Sequence, residues 1–130
     1  MAAAVNLLER AVGLLEPQSV QRLELLIDLS EALKDVGDFE LSRTRLDELD
    51  ENARAIRDER LAAHATVGKL LLGRHAGETE WADHVMAESP AVIAAFERAG
   101  DHAGLTKVYR LQGVVHGTAC RFAELEAAAE

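Results

Sequence analysis

This sequence of 130 residues has little cysteine, proline or aromatic content. Its single cysteine, Cys120, excludes an intrachain disulfide and is typical of a protein in the reducing cytoplasm. There are two prolines, and aromatic residues make up 4% of the chain. Alanine, leucine and valine supply most of the 48% that is hydrophobic. Because alanine and leucine favour helices and proline breaks them, the composition predicts a single all-α domain.

Positive charge is also scarce. The formal net charge is −9, and basic residues such as Arg43, Arg45, Arg54 and Arg57 alternate with acids. Nucleic-acid binding requires a basic surface to neutralise phosphates, and anionic lipids attract basic segments as well, so we expect neither partner. The sequence also lacks an apolar run of about 20 residues and a basic, apolar leader. These absences favour a cytoplasmic protein.

Recognisable catalytic motifs are missing. There is no phosphate-binding P-loop, dinucleotide-binding glycine motif, nucleophile elbow or HExxH zinc motif. Carboxylate pairs such as Asp47 with Glu51 fall on one helix face, where solvation keeps both ionised and unsuited to acid–base catalysis. We therefore expect no enzymatic activity and no cofactor.

Apolar residues recur at helical spacing along the whole chain and predict about seven helices. Ser19 and Asp38 are suited to cap the second and third helices, and Ser89-Pro90 should kink or split the fifth. The seven predicted helices span about 2–16, 20–36, 39–57, 59–74, 79–99, 101–118 and 122–130.

Breaks between helices recur three times, at Gly37-Asp38-Phe39, His75-Ala76-Gly77 and 119–122. A small residue lies inside the helix that precedes each break: Ser30, Gly68 and Gly113. Their spacing falls within the period of about 34 to 47 residues that helical solenoids show. Small residues at mid-helix permit close packing, so the pattern predicts stacked helical hairpins.

The hairpins resemble the tetratricopeptide repeat. The first carries the pattern of both helices and the turn, in Leu26, Leu29, Ser30, Leu33, Gly37, Asp38, Phe39 and Ser42. The last carries it in Tyr109, Gly113, His116, Cys120, Phe122 and Leu125. The middle hairpin keeps Val67, Gly68 and Leu71 but lacks the turn motif. Ala4, Leu8 and Ala11 make the first helix similar to a second repeat helix without its partner.

A narrower resemblance covers 96–105 and 109–116. These stretches are similar to the C-terminal repeat region of actinobacterial multidomain ATPases, nucleotide cyclases and transcriptional regulators. The resemblances imply a right-handed solenoid, a half-repeat at each end and a place within a longer regulatory protein. Exposed apolar end helices would then allow self-association.

The resemblance also implies a non-catalytic scaffold that binds a protein, a peptide or another domain of the same polypeptide in a concave groove. The first helices of the hairpins would line this groove. Residues expected to contact the partner are Arg22, Lys34, His64, Lys69, Trp81, Tyr109, Gln112 and His116. For Trp81, anchoring in the core is the competing interpretation, and for His116 a local packing role.

Two other functions are compatible with the sequence. A small-molecule sensor would hold its ligand in a pocket among helices four to six, near Trp81, Tyr109 and His116. A metal site would use His75, His84 and Glu78, although their spacing matches no standard zinc site and surface histidines are the simpler interpretation. Cys120 is interpreted as a small packing residue rather than a reactive thiol.

Overall fold

The computed structural model describes residues 2–75, 77 and 80–129. These residues form six α-helices and no β-strand, which confirms the all-α prediction. The helices are α1 (Ala2–Gly13), α2 (Val20–Asp35), α3 (Phe39–Ala55), α4 (Glu59–His75), α5 (Trp81–Ala99) and α6 (His102–Ala129). None of the helices in this described part is both long and apolar enough to cross a membrane.

The predicted caps of α2 and α3 are confirmed. Ser19 Oγ accepts a hydrogen bond of 3.1 Å from the Arg22 N–H, and Asp38 Oδ1 accepts one of 3.2 Å from the Leu41 N–H. Each bond satisfies a backbone donor that the first turn of a helix leaves unpaired. Between the two helices Gly37 has φ +86°, a left-handed conformation that glycine adopts without steric cost.

The expected interruption at Pro90 does not split α5, which continues from Trp81 to Ala99. Proline lacks the N–H that would bond one turn back along the helix. The buried hydroxyl of Ser89 donates to the Val85 carbonyl, so the same turn carries a side-chain bond to the backbone. Pro90 itself is exposed, and its ring is accommodated at the surface of the helix.

The break predicted at 119–122 is absent. The backbone remains helical through this segment, so the predicted sixth and seventh helices are one helix of 28 residues, α6. Neither proline nor glycine lies in the segment, and the residues that follow it are mostly alanine, leucine and glutamate. These are strong helix formers, which explains why the chain does not turn there.

Each helix packs against the next one along the chain, and α4 also touches both α2 and α6. The connections between successive helices are short, so neighbouring helices run in opposite directions. Helices α2, α4 and α6 therefore lie side by side and run the same way. This placement brings their facing side chains to one surface.

Two apolar clusters form the core, and α4 contributes to both. The first joins α1 to α4 and consists of Val12, Leu23, Leu26, Ile27, Leu29, Leu33, Leu46, Leu49, Ala53, Leu61, Ala65 and Leu72. The second joins α4 to α6 and consists of Ala63, Val67, Leu70, Val85, Val92, Ala95, Phe96, Val108 and Leu111. Helix α4 is thus buried between two layers, and its apolar residues occupy more than one face.

The three small residues have different surroundings. A Cβ placed on Gly68 would lie 2.6 Å from Leu46 Cδ2, so glycine permits the close approach of α3 and α4. Ser30 is buried, and its carbonyl accepts a hydrogen bond of 2.8 Å from the Ser42 hydroxyl. A Cβ on Gly113 would meet no atom within 4 Å, so close helix packing within the described residues does not require glycine there.

Candidate functional site

A cleft of about 800 Å³ opens between α2, α4 and α6. Helix α2 contributes Glu31 and Lys34 to its lining, and α4 contributes Leu71 and Arg74. Helix α6 contributes the largest share, namely Lys107, Arg110, Leu111, Gly113, Val114, Gly117 and Thr118. We call this feature the cleft throughout.

Helical periodicity explains why these side chains face the same space. Most of the lining residues of α6 are separated by three or four positions, which places them on one face of the helix. Glu31 and Lys34 are three positions apart on α2, as are Leu71 and Arg74 on α4. Each of the three neighbouring helices therefore presents one stripe to the cleft.

The cleft is basic although the chain is acidic. The described residues of its lining include four cations, Lys34, Arg74, Lys107 and Arg110, and one acid, Glu31. Lys107 Nζ lies 2.5 Å from Glu31 Oε1, so this ion pair joins α6 to α2 across the cleft. Lys34, Arg74 and Arg110 form no ion pair with any residue that the structure describes.

Apolar surface lies beside these charges. Leu71 and Val114 are half-buried, and Leu111 is buried below them. Gly113 and Gly117 are exposed, and a Cβ on either would meet no atom within 4 Å. A ligand could therefore contact the backbone of α6 closely while its charged groups reach the cations at the edges of the cleft.

A second polar feature lies at the start of α6. Asp101 Oδ1 accepts a hydrogen bond of 2.9 Å from the Gly104 N–H and caps the helix. Its Oδ2 lies 2.7 Å from His64 Nε2 and 3.1 Å from Arg60 Nη1. Burial alone would raise the pKa of Asp101, but the hydrogen bonds from Gly104, His64 and Arg60 lower it to about 2.

These contacts determine the state of His64. Burial lowers the pKa of its imidazole, and this outweighs the opposing effect of Asp101. The ring is therefore neutral at pH 7, and because ionised Asp101 can only accept, Nε2 carries the proton and donates it. Nδ1 is buried with no hydrogen-bond partner among the described groups. The ring also packs 4.8 Å from that of Phe96, centroid to centroid.

His64 lines a second, much smaller cavity of about 20 Å³ below the cleft, together with Ser30, Ser42 and Lys34. This volume holds about one water molecule and is too small for an organic substrate. The His64–Asp101 pair therefore connects α4 to the start of α6 and is not exposed to a substrate-sized site.

The predicted partner residues lie in several places. Lys34 lines the cleft, and His64 lies beneath it. Arg22 pairs instead with Glu48 at 3.0 Å, and Lys69 pairs with Asp47 at 2.8 Å. The charges of Arg22 and Lys69 are thus balanced by acids of α3 within the chain.

The remaining predicted residues lie outside the cleft lining. Trp81 Nε1 donates a hydrogen bond of 2.6 Å to the Leu70 carbonyl, and its ring packs on the second core cluster, as in the core-anchor interpretation. Tyr109 and His116 are exposed, with Gln112 half-buried between them. The latter three share a face of α6 beside the one that lines the cleft.

The geometry of the described residues does not match either alternative site, the small-molecule pocket or the metal site. Between α4, α5 and α6 the interior is occupied by fully buried side chains, including Phe96 and Val108. His75 stacks on Phe39 with ring centroids 5.4 Å apart. Glu78 lies outside the described residues, and within those residues no group of three potential metal ligands occurs.

Sequence reasoning missed most of the cleft, above all Arg74, Lys107, Arg110 and Val114. The signal that could have identified three of them is their spacing, because Lys107, Arg110 and Val114 follow each other at three and four positions. The resemblance directed attention to Tyr109, Gln112 and His116 instead.

Comparison of the chain with protein-family models, with curated protein sequences and with solved structures gave no significant match. The likeness to tetratricopeptide repeats therefore rests on the residues alone.

Proposed function

We propose that this chain is a non-catalytic interaction module that binds a protein or peptide segment in the cleft. The observation that carries the proposal is the cleft itself, a solvent-open space of about 800 Å³ to which three neighbouring helices each contribute one stripe. An amphipathic helix or an extended peptide docks in such grooves through apolar contacts, with polar groups at the rim.

The same arrangement supports a stack of helical hairpins of the tetratricopeptide kind. In such an array alternate helices touch, as α2 touches α4 and α4 touches α6. We further propose a cytoplasmic role within a larger signalling or regulatory protein. Leu7 on α1 is 68% exposed and Leu14, directly after α1, is 86% exposed, and this pair of leucines supports a contact with another domain or another copy of the chain.

A sensor that holds a small molecule between α4, α5 and α6 is less well supported. The apolar side chains of the second core cluster fill that space, and Trp81, Tyr109 and His116 do not share a cavity there. The groups named for ligand recognition would therefore have to move before they could enclose a molecule.

A peptide selection tests the proposal. The chain is immobilised, and a phage-displayed library of random linear peptides is selected on it. Enriched peptides are then measured against two variants of α6, Gly117→Trp and Ala103→Trp. Position 117 lines the cleft and has open space around it, so tryptophan there should block the cleft without disturbing the core. Position 103 is exposed and does not line the cleft.

We expect enriched peptides to bind the wild type and Ala103→Trp equally and to lose binding to Gly117→Trp. Circular dichroism should give the same helix content for both variants. The proposal is wrong if no peptide is enriched, or if the enriched peptides bind both tryptophan variants alike.

A further inference from the structure

We infer that the segment bound in the cleft is acidic: a stretch of protein that carries several carboxylates around an apolar centre. This inference rests on the proposed function and specifies the partner's chemistry. It is carried by the juxtaposition of Lys34, Arg74 and Arg110 around one cleft in a chain whose net charge is −9.

Internal pairing leaves the cleft with an excess of positive charge. Among the described residues that line the cleft the only acid is Glu31, and it is engaged by Lys107. Lys34, Arg74 and Arg110 have no acidic partner in the described part of the chain. Several cations elsewhere are balanced from within, as Arg60 is by Glu24 and Asp101. Arg10 and Arg43 also lack an ion pair among the described residues, but they lie on other helices and do not share a cleft. A chain with 23 acidic residues thus leaves three cations around one cleft available to an external anion.

Helix ends explain only part of this pattern. Lys34 lies in the last turn of α2 and Arg74 in the last turn of α4, where basic residues stabilise the helix C-terminus. Arg110 lies well inside α6, and no helix end accounts for its charge. Arg110 lies on α6, across the cleft from Lys34 on α2, so positive charge borders the cleft on both sides.

The acidity of the remaining surface adds specificity. An acidic segment is repelled by a protein of charge −9 except where the local field is positive, so it is directed to the cleft. Over Leu71 and Val114 the segment would place apolar side chains, with carboxylates directed to Lys34 on one side and Arg110 on the other. A helix with both kinds of residue at spacings of three and four meets these requirements.

The peptides from the library selection test this inference directly. We expect their acidic residues to be enriched over the unselected library. A fluorescent peptide of the selected consensus, and a version with each acidic residue replaced by lysine, are then titrated by anisotropy. The proteins are the wild type and two double variants, Arg74→Glu with Arg110→Glu, and Arg10→Glu with Arg43→Glu.

The second double variant is the matched control. Both double variants replace two arginines by glutamates, so the change in net charge is identical. Arg10 and Arg43 are exposed, have no ion pair among the described residues and lie outside the cleft, so their replacement leaves the cleft itself unchanged. We expect the cleft variant to bind the acidic peptide at least about fivefold more weakly than the control does. The lysine peptide should bind the cleft variant more tightly than it binds the wild type, which an unfolded variant would not do.

The inference is wrong if the selected peptides are neutral or basic and still lose binding to Gly117→Trp. That result would leave the proposed function intact. Equal losses in the two double variants would overturn it as well. If no peptide distinguishes Gly117→Trp from Ala103→Trp, both fail. Sedimentation of the chain alone tests a further occupant: a dimer that the cleft variant abolishes would assign the cleft to a second copy and contradict a separate acidic partner.

Discussion

His64 Nε2 lies 2.7 Å from Asp101 Oδ2, so the second turn of α4 is hydrogen-bonded to the residue that caps α6. The same carboxylate accepts from Gly104 and from Arg60. One side chain therefore holds the α5–α6 corner against α4. The cleft has walls on the same two helices, α4 and α6, so this contact helps to hold those walls together.

Replacing Asp101 should cost substantial stability. Asp101→Ala removes a helix cap and leaves the buried Nε2–H of His64 without an acceptor, and we expect a loss of about 2–4 kcal/mol in the free energy of unfolding. Asp101→Asn keeps an oxygen for the cap and should lose less. Urea denaturation followed by circular dichroism measures both, and a loss for Asp101→Ala within the error of the method would contradict this role.

The two pKa shifts predict how stability depends on pH. The pKa of His64 is lowered by burial, so the unfolded chain binds its proton more readily than the folded chain does. Stability from His64 is complete above its ordinary pKa of about 6.5 and falls as the pH decreases below that value. The pKa of Asp101 is lowered from 3.8 to about 2, so its contribution is lost as the pH falls through that interval.

We therefore expect the free energy of unfolding to decrease from pH 7 toward acidic pH, in urea titrations at a series of pH values. In His64→Gln the decrease just below pH 6.5 should be smaller, because the group that takes up the proton is gone. A His64→Gln profile parallel to the wild type would show that other groups cause the decrease.

Glycine-to-alanine substitutions on α6 should have opposite effects at two positions. A Cβ at Gly104 would lie 2.5 Å from Cδ1 of the fully buried Phe96, so Gly104→Ala should destabilise by about 1–3 kcal/mol. At Gly113 the space is open and alanine is the better helix former, so Gly113→Ala should stabilise by about 0.5–1 kcal/mol. Thermal denaturation of the pair checks the sign, and destabilisation by both would contradict the packing described for α5 and α6.

Arg57 is a non-glycine residue with φ +57°, between α3 and α4. A side chain in this left-handed conformation is strained, so Arg57→Gly should raise the free energy of unfolding by about 0.5–1 kcal/mol. Gly100 has a similar φ of +68° after α5, and Gly100→Ala should lower it by a similar amount. Urea denaturation measures both; a loss of stability in Arg57→Gly would mean that its side chain makes a contribution larger than the strain.

Local chemistry made much of the fold predictable from the sequence. Ser19 and Asp38 have the side chains that cap helices, and Gly37 can adopt the left-handed turn, so α2 and α3 were located correctly. At 119–122 no such residue exists, and the break was expected from the recurrence of breaks along the chain, which the local helix propensity overrides. Helix α5 continues through Pro90 because the proline ring lies at the surface. That position depends on how α5 is rotated in the fold, which the sequence around Pro90 does not reveal.

The cleft was less predictable because it depends on how three separate helices are aligned. Lys34 was identified, but Arg74 and Arg110 become neighbours of one cleft only through the packing of α4 against α2 and α6. The charge of Lys69 and that of Arg22 look equally available in the sequence. In the fold, acids of α3 reach both of them.

The most direct test of the account is to locate the bound segment by NMR. The amide spectrum of the isotopically labelled chain is recorded during titration with the unlabelled consensus peptide from the library selection. We predict that the largest shifts fall on Lys34, Leu71, Arg74, Arg110 and Val114, with little change along α3. Shifts concentrated on the outer face of α1 or α3, with the cleft residues unchanged, would contradict the claim that the cleft is the binding site.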